Sequence, residues 1–200
     1  MAKERLKSPR MRMFVALDLP DGVRDEIVAW GRRELADPAL RRVGEDSLHV
    51  TLAFLGWRPE KDAERVGEIV GRCAAPAPLA ELRDPVAKPS LRRARLFALP
   101  VVSPGAEQIQ ARLGELLEKE RLYKPEKRPF WPHVTVARVR PEGRGTRRLM
   151  RVERPPSGLP PSLSEPFYGV RLTLYRSVLQ PQGAVYSPLA QVELPGAGRQ

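Results

Sequence analysis

The sequence predicts a mixed fold of helices and strands, built as two related halves. A short strand-like segment occurs twice, at residues 48–54 and 132–138, and both copies contain His-Val-Thr, then an aliphatic residue and Ala. Amphipathic helical stripes lie before the first copy and between the two copies. The resulting order is strand, helix, motif strand, helix and strands, then helix, motif strand and strands, which indicates a duplicated plan.

The two motif copies use both histidines of the chain. His49 is followed two positions later by Thr51, and His133 by Thr135. The 200 residues include four threonines, so composition alone would place one after both histidines with a probability of roughly (4/200)². Side chains alternate along a strand. The pattern therefore predicts one face with His, Thr and Ala, and a backing face with Val50, Leu52 and Phe54 in the first copy and Val134 and Val136 in the second.

A pair of imidazoles facing one cleft suits acid–base chemistry at phosphorus. Imidazole titrates near neutral pH, so one ring can accept a proton from water while the other donates one to the leaving oxygen. Threonine hydroxyls can donate to phosphate oxygens. The alternatives are two satisfied histidines on a polar strand face, or a metal site. The repeated spacing disfavours the first, and the lack of an H-x-x-x-H pattern and the single cysteine disfavour the second.

The remaining elements follow from breaks in the hydrophobic pattern. Residues 1–11 are predicted to be a disordered basic leader, and 12–19 an apolar strand that Pro20 ends. Helices are predicted at about 21–35, 60–74 and 104–121. Strands are predicted near 79–87, 91–102, 167–179 and 184–194, with a turn at 181–183. Phe14, Phe54 and Phe97 are predicted to be core residues.

Residues 141–166 are rich in proline, glycine and arginine, and they predict a long exposed loop. The net charge of +11 favours a polyanionic partner, nucleic acid first. The arginines of this loop then either contact the phosphates of RNA or are only solvent-exposed residues of a polar loop. Cys73 has no cysteine to pair with, which allows a reducing cytoplasm, and no apolar run is long enough to span a membrane.

Further segments carry a likeness to a known family: residues 13–20, 48–56, 132–138, 174–177 and 185–189. From about Arg12 onward the chain resembles the 2H phosphoesterase superfamily, and within it the RNA 2′,3′-cyclic phosphodiesterases, also called 2′-5′ RNA ligases. The resemblance implies an α+β fold of two pseudo-symmetric lobes, each an antiparallel sheet with helices on its outer face, and an active cleft between them. It implies a single bilobal domain at 12–195, followed by a tail at 196–200.

The resemblance also implies an activity, the metal-independent hydrolysis of a terminal RNA 2′,3′-cyclic phosphate to a 2′-phosphomonoester. It implies that His49 is the proton donor and His133 the proton acceptor, and that Thr51, Thr135 and Arg138 bind the phosphate; the spacing alone does not say which histidine is which. The expected partner is an RNA end or oligonucleotide with a cyclic phosphate, without a cofactor, a membrane or an obligate protein partner. Reversible 2′-5′ ligation, cleavage of 2′-5′ oligonucleotides and a non-catalytic RNA- or nucleotide-binding module remain alternatives.

Two residues beside the second motif, Trp131 and Arg138, are further candidates for contact with the substrate. Trp131 is a candidate for stacking on a nucleobase, although a core or rim position is the favoured interpretation. Arg138 lies five residues after His133, where strict alternation would turn it into the backing layer. An unpaired guanidinium in a core is costly. A break in strand pairing near Ala137 is therefore predicted, which would bring Arg138 to the imidazoles.

Overall fold

The computed structural model describes residues 9–180 and 183–196. Within these residues, three helices, α1 (Asp21–Glu34), α2 (Asp62–Arg72) and α3 (Pro104–Lys119), accompany ten strands. The strands are β1 (Arg10–Asp18), β2 (Leu40–Arg42), β3 (His49–Pro59), β4 (Leu79–Leu82), β5 (Val86–Lys88), β6 (Leu96–Val102), β7 (His133–Val139), β8 (Phe167–Tyr168), β9 (Arg171–Gln180) and β10 (Gly183–Glu193). All strand pairs are antiparallel, as expected for an α+β fold.

The main path of the sheet has the order β10-β9-β1-β3-β7-β6-β4-β8. Each motif strand is thus the innermost strand of its own half, β3 in one lobe and β7 in the other. The two halves join where Val50 pairs with Val134, at the middle of both His-Val-Thr segments. An antiparallel pair has a local two-fold axis at such a point. The predicted bilobal fold is confirmed, and the lobes meet as one continuous sheet.

The three helices cover the apolar side of the sheet. Helix α2 packs on β9, β10 and β3, while α3 packs on β3 and β4. Gly67 permits the close approach of α2, because a Cβ there would lie 3.1 Å from the Cβ of Ala190. Helix α1 buries Ile27 and Trp30, and Ile27 lines the same cavity as Val136 of β7. In the described part of the chain, no helix combines the length and apolar character that crossing a bilayer requires.

The boundaries differ from the predicted ones where local pattern is weak. Strand β1 begins at Arg10, so the last residues of the predicted leader are structured, and Met11 is buried. The predicted strand at 79–87 is two strands, and the one at 91–102 begins as a short 3-10 helix (Leu91–Arg93) before β6. The three-residue strand β2 was not predicted. The leader at 1–8, the turn residues 181–182 and the tail at 197–200 lie outside the described residues.

The predicted loop at 141–166 is held at several points along its length. Its first part folds back beside β7, with a bridge between Pro141 and Leu149. The buried carboxylate of Asp37 then accepts the backbone N–H groups of Glu153 and Arg154, at 2.9 and 2.7 Å. These hydrogen bonds lower the pKa of Asp37, although burial opposes them. Since charge-assisted hydrogen bonds to a carboxylate are strong, this segment is an anchored strap.

Candidate active site

The two motif strands bring their histidines and threonines to one surface. His49 and Thr51 on β3, and His133 and Thr135 on β7, are all half-buried, while the alternate residues between them are buried. With Val50 opposite Val134 in an antiparallel pair, His49 lies across from Thr135 and His133 across from Thr51. The sheet therefore brings together all four motif side chains that the sequence singled out.

Both motif strands contain a β-bulge just after the threonine. In β3 the pairing with β1 shifts between Thr51 and Ala53, and in β7 the pairing with β6 shifts between Thr135 and Ala137. An extra residue in one strand reverses the alternation of faces beyond it. The prediction that the alanines share the histidine face was wrong, because both alanines are buried in the core.

The bulges turn the fifth residue after each histidine away from the core. The shift in the β6–β7 pairing confirms the break predicted near Ala137, and Arg138, the next residue, is exposed. Its positive charge is one of the influences that lower the pKa of His133. Phe54 was predicted to be core but is 42% exposed, for the same reason. The guanidinium of Arg12 lies 4.7 Å from the centroid of the Phe54 ring, so a cation stands beside this position in the first copy too.

His49 lies in an aromatic cage. Phe14 stacks on its imidazole with 4.9 Å between ring centroids, and Tyr175 and Tyr186 follow at 6.0 and 5.5 Å. Nε2 of His49 is 3.2 Å from the hydroxyl of Thr51. Burial lowers the pKa of His49 to about 4, since Asp18 only partly opposes it and His133 lowers it further. The free protein thus holds His49 neutral at pH 7.

A buried carboxylate beside this cage organises three strands. Asp18 is 5% exposed, and its carboxylate accepts hydrogen bonds from Arg171 Nε (2.8 Å), the Thr173 hydroxyl (2.7 Å) and the Tyr175 hydroxyl (3.0 Å). Burial, with Asp18 adding to it, raises the pKa of Tyr175 to about 12, so its phenol keeps the proton that it donates. Asp18 also pairs with His49 across β1 and β3. No local sequence pattern indicates this role, because the donors come from β9, far along the chain.

His133 has a defined tautomer. Its Nδ1 lies 2.8 Å from the carbonyl oxygen of Trp131. A carbonyl can only accept, so Nδ1 carries the proton and Nε2 of the neutral ring is left as a base. Burial lowers the pKa of His133, and the charges of Lys88 and Arg138 act in the same direction, while the hydrogen bond to Trp131 opposes them.

The indole of Trp131 is enclosed between two groups. It stacks on the His133 imidazole with 4.1 Å between centroids and an interplanar angle of 15°. The ammonium of Lys88 lies 4.2 Å from the indole centroid. With the imidazole so close to one face, the ammonium occupies the other. Stacking of a nucleobase on Trp131 stays a prediction, and it would require Lys88 to move. Lys88 itself gave no signal in the sequence.

An open cavity of about 480 Å³ adjoins the site, and its walls include Arg138 and Tyr186. Arg12, Arg41 and Arg42 also line it, so the space beside the histidines is strongly cationic and suits an anion. Among the described residues, no group of three or more His, Cys, Asp or Glu side chains is placed to hold a metal ion. The arrangement can bind a phosphate and offers it two imidazoles.

A model of the 2′-5′ RNA ligase superfamily matches residues 19–159. The chain belongs to this superfamily. The resemblance to 2H phosphoesterases predicted from the paired motifs is thereby confirmed. The RNA 2′,3′-cyclic phosphodiesterase of Thermus thermophilus is 32% identical over 195 residues, covering 93% of this chain and 91% of that one. The RNA 2′,3′-cyclic phosphodiesterase of Escherichia coli is 29% identical over 185 residues, covering 91% and 96%.

Solved structures of similar proteins share the fold of this chain. A Thermus thermophilus crystal structure matches with a TM-score of 0.76 at 28% identity, over 94% of this chain and 100% of that one. The crystal structure of Escherichia coli LigT complexed with 3′-AMP matches with a TM-score of 0.73 at 28% identity, over 94% and 99%. The bilobal sheet is therefore common to this chain and these proteins.

Proposed function

We propose that the protein is an RNA 2′,3′-cyclic phosphodiesterase that hydrolyses a terminal cyclic phosphate to a 2′-phosphomonoester. The observation that carries this proposal is the pairing of β3 with β7 at Val50 and Val134, which brings two imidazoles and two hydroxyls to one surface. The names of the Thermus thermophilus and Escherichia coli relatives support the same activity. RNA ends are its partner, and the cytoplasm is the location that fits such a substrate.

In this proposal His133 is the general base. Its Nδ1 proton is held by the Trp131 carbonyl, and its lowered pKa keeps Nε2 free to accept a proton from water at neutral pH. The water oxygen bonds to phosphorus as the bond from phosphorus to the ribose 3′ oxygen breaks. The proton from water goes to His133, and the electron pair of the broken bond stays on the 3′ oxygen.

His49 is the general acid that protonates this 3′ oxygen. The assignment of acid and base follows the family resemblance, and the tautomer of His133 agrees with it. In the free protein burial holds the pKa of His49 at about 4, so the acid form must arise with substrate bound. A phosphate anion between the two rings supplies the negative charge that favours this form.

Thr51, Thr135 and Arg138 are proposed to hold the non-bridging oxygens. The hydroxyls lie on the same face as the imidazoles, and the bulge in β7 exposes the guanidinium beside His133. A guanidinium can donate two parallel hydrogen bonds to a phosphate. It neutralises negative charge without competing for the protons that the histidines move, because arginine does not deprotonate in proteins.

The proposal is tested with a short RNA ending in a 2′,3′-cyclic phosphate, with and without excess chelator, and phosphorus NMR of the product. Formation of the 2′-phosphate in both conditions is expected. His49→Ala and His133→Ala should each lower turnover by about 10²- to 10⁴-fold. Because an acid and a base acting together are not additive, the double variant should lose little more than the worse single variant.

Circular dichroism of each variant serves as the control for folding. Near-normal turnover in either single variant would refute the paired mechanism. Loss of activity in chelator that a divalent ion restores would replace it with a metal-dependent one. Binding of the RNA without any turnover by the wild-type protein would leave a non-catalytic binding module, and a 2′-5′ linked product would reassign the activity to ligation.

A further inference from the structure

A chain of arginine-lined cavities leads away from the site along the strap. The cavity beside the histidines shares Arg41 and Arg138 with a second one of about 570 Å³. The second shares Arg95, Arg147 and Leu149 with a third one of about 750 Å³. Consecutive cavities have lining residues in common, so the three adjoin one another, and together we call them the basic groove.

The groove carries far more positive than negative charge. Its carboxylates are Glu142 and Glu153, which pair with Arg148 at 3.0 Å and Arg151 at 3.2 Å. Five more arginines of the second and third cavities form no ion pair within the described residues. They are Arg92, Arg93, Arg95, Arg138 and Arg147. Arg41 lies directly opposite Arg138 on the β2–β7 ladder. Like charges in such positions repel each other, and an anion bound between them would be attracted by both.

The walls of the groove are held by the backbone. The carbonyl of Arg95 accepts the N–H of Val139 at 3.0 Å, which ties the segment before β6 to the end of β7. Arg147 lies in a turn in which the N–H of Glu142 donates to the carbonyl of Arg148 at 2.9 Å, and the N–H of Arg148 to the Thr146 hydroxyl at 3.0 Å. The Asp37 hydrogen bonds fix the strap beyond. A surface held in place before binding loses less entropy on binding.

We propose that the basic groove binds the phosphodiester backbone of the single RNA strand that leads to the cyclic phosphate. The proposal rests on the proposed function, because it starts from a terminal phosphate at the histidines. Successive backbone phosphates pass Arg138 and Arg41, then Arg95 and Arg147. The second and third cavities have no aromatic side chain among their described lining residues. Stacking is the usual sequence-tolerant contact to bases, so the groove contacts phosphates and does not select bases.

The test uses the double variant Arg95→Gln/Arg147→Gln, which leaves in place the proposed catalytic residues and the residues proposed to bind the cyclic phosphate. Its matched control is Arg72→Gln/Arg112→Gln, which removes the same charge from exposed positions on α2 and α3. Both variants and the wild-type protein are assayed on two substrates, a dinucleotide and an RNA of about twelve nucleotides, each ending in a 2′,3′-cyclic phosphate. The values of kcat/KM are measured from low to moderate salt.

The groove variant should keep its kcat/KM on the dinucleotide and lose about tenfold on the longer RNA at low salt. Each phosphate contact on a single strand contributes roughly 0.7 to the slope of log affinity against log salt, so two lost contacts should flatten that slope by about 1.4. The control variant should match the wild-type protein. Equal behaviour of the two variants on the longer RNA would overturn the proposal, and so would an equal loss on both substrates.

A binding measurement separates this proposal from the proposed activity. Fluorescence anisotropy follows the binding of a labelled RNA of the same length that ends in a 2′-phosphate, and it needs no turnover. If the wild-type protein turned over neither substrate, the proposed function would fail. The groove would still be supported by weaker, less salt-dependent binding in the groove variant alone. Binding that the groove and control variants weaken equally would show only general attraction to the net charge and would overturn it.

Discussion

Addition of inorganic phosphate to the free protein should raise the pKa of His49 from about 4 towards neutrality. The imidazole is neutral in the free protein because burial disfavours the charged ring, and the charge of His133 acts in the same direction. A general acid must carry its proton at the moment of reaction. The substrate itself must therefore supply the charge that makes His49 an acid.

The magnitude follows from Coulomb's law. Raising the pKa of His49 from about 4 to neutral pH requires about 4 kcal/mol of added preference for the charged ring, at about 1.4 kcal/mol per pH unit. One phosphate charge at about 4 Å contributes about 4 kcal/mol at the effective dielectric constant of a protein site. A single hydrogen-bonded phosphate oxygen is thus sufficient, and no further anionic residue is needed.

The assay is a histidine NMR titration, which is well suited to a chain with two histidines. A His133→Gln variant leaves one imidazole signal and so assigns His49 directly. The pKa is measured with phosphate and with chloride at equal ionic strength as the control. An unchanged low pKa at saturating phosphate would refute the reasoning, because His49 could not then be the proton donor at neutral pH.

Three further predictions concern residues around the histidines. Arg138→Lys should lower kcat/KM by roughly tenfold or more, because an ammonium keeps the charge but loses the bidentate fork; full activity would make Arg138 structural. Asp18→Asn should lower the free energy of unfolding, measured in urea, by about 3 kcal/mol, since the amide leaves one acceptor oxygen for three donors and Arg171 loses its charged partner. The exposed Asp21→Asn should change it by less than about 0.5 kcal/mol, and equal effects would contradict the role of Asp18. Lys88→Met should raise the pKa of His133 by removing a nearby positive charge, whereas Lys88→Arg should not, as NMR titration would show.

The sequence determined the chemistry-bearing parts of this protein. The repeated His-Val-Thr segments predict their own strands and the shared face of each His and Thr pair, because the two-residue period of a strand is a local property. The helices follow from apolar periodicity in the same way. Arg138 is a stronger case, since the cost of burying a guanidinium predicted a break in pairing that the β7 bulge confirms.

Only the tertiary structure decided where the alternation of strand faces fails at a residue whose burial would not be costly. Phe54 can be buried or exposed, so nothing local signals that β3 also has a bulge; that depends on its pairing with β1. The same holds for Asp18, whose donors lie more than 150 residues away, and for Lys88 on Trp131. These contacts depend on which strands become neighbours. Strand order is a property of the whole sheet, and no short segment specifies it.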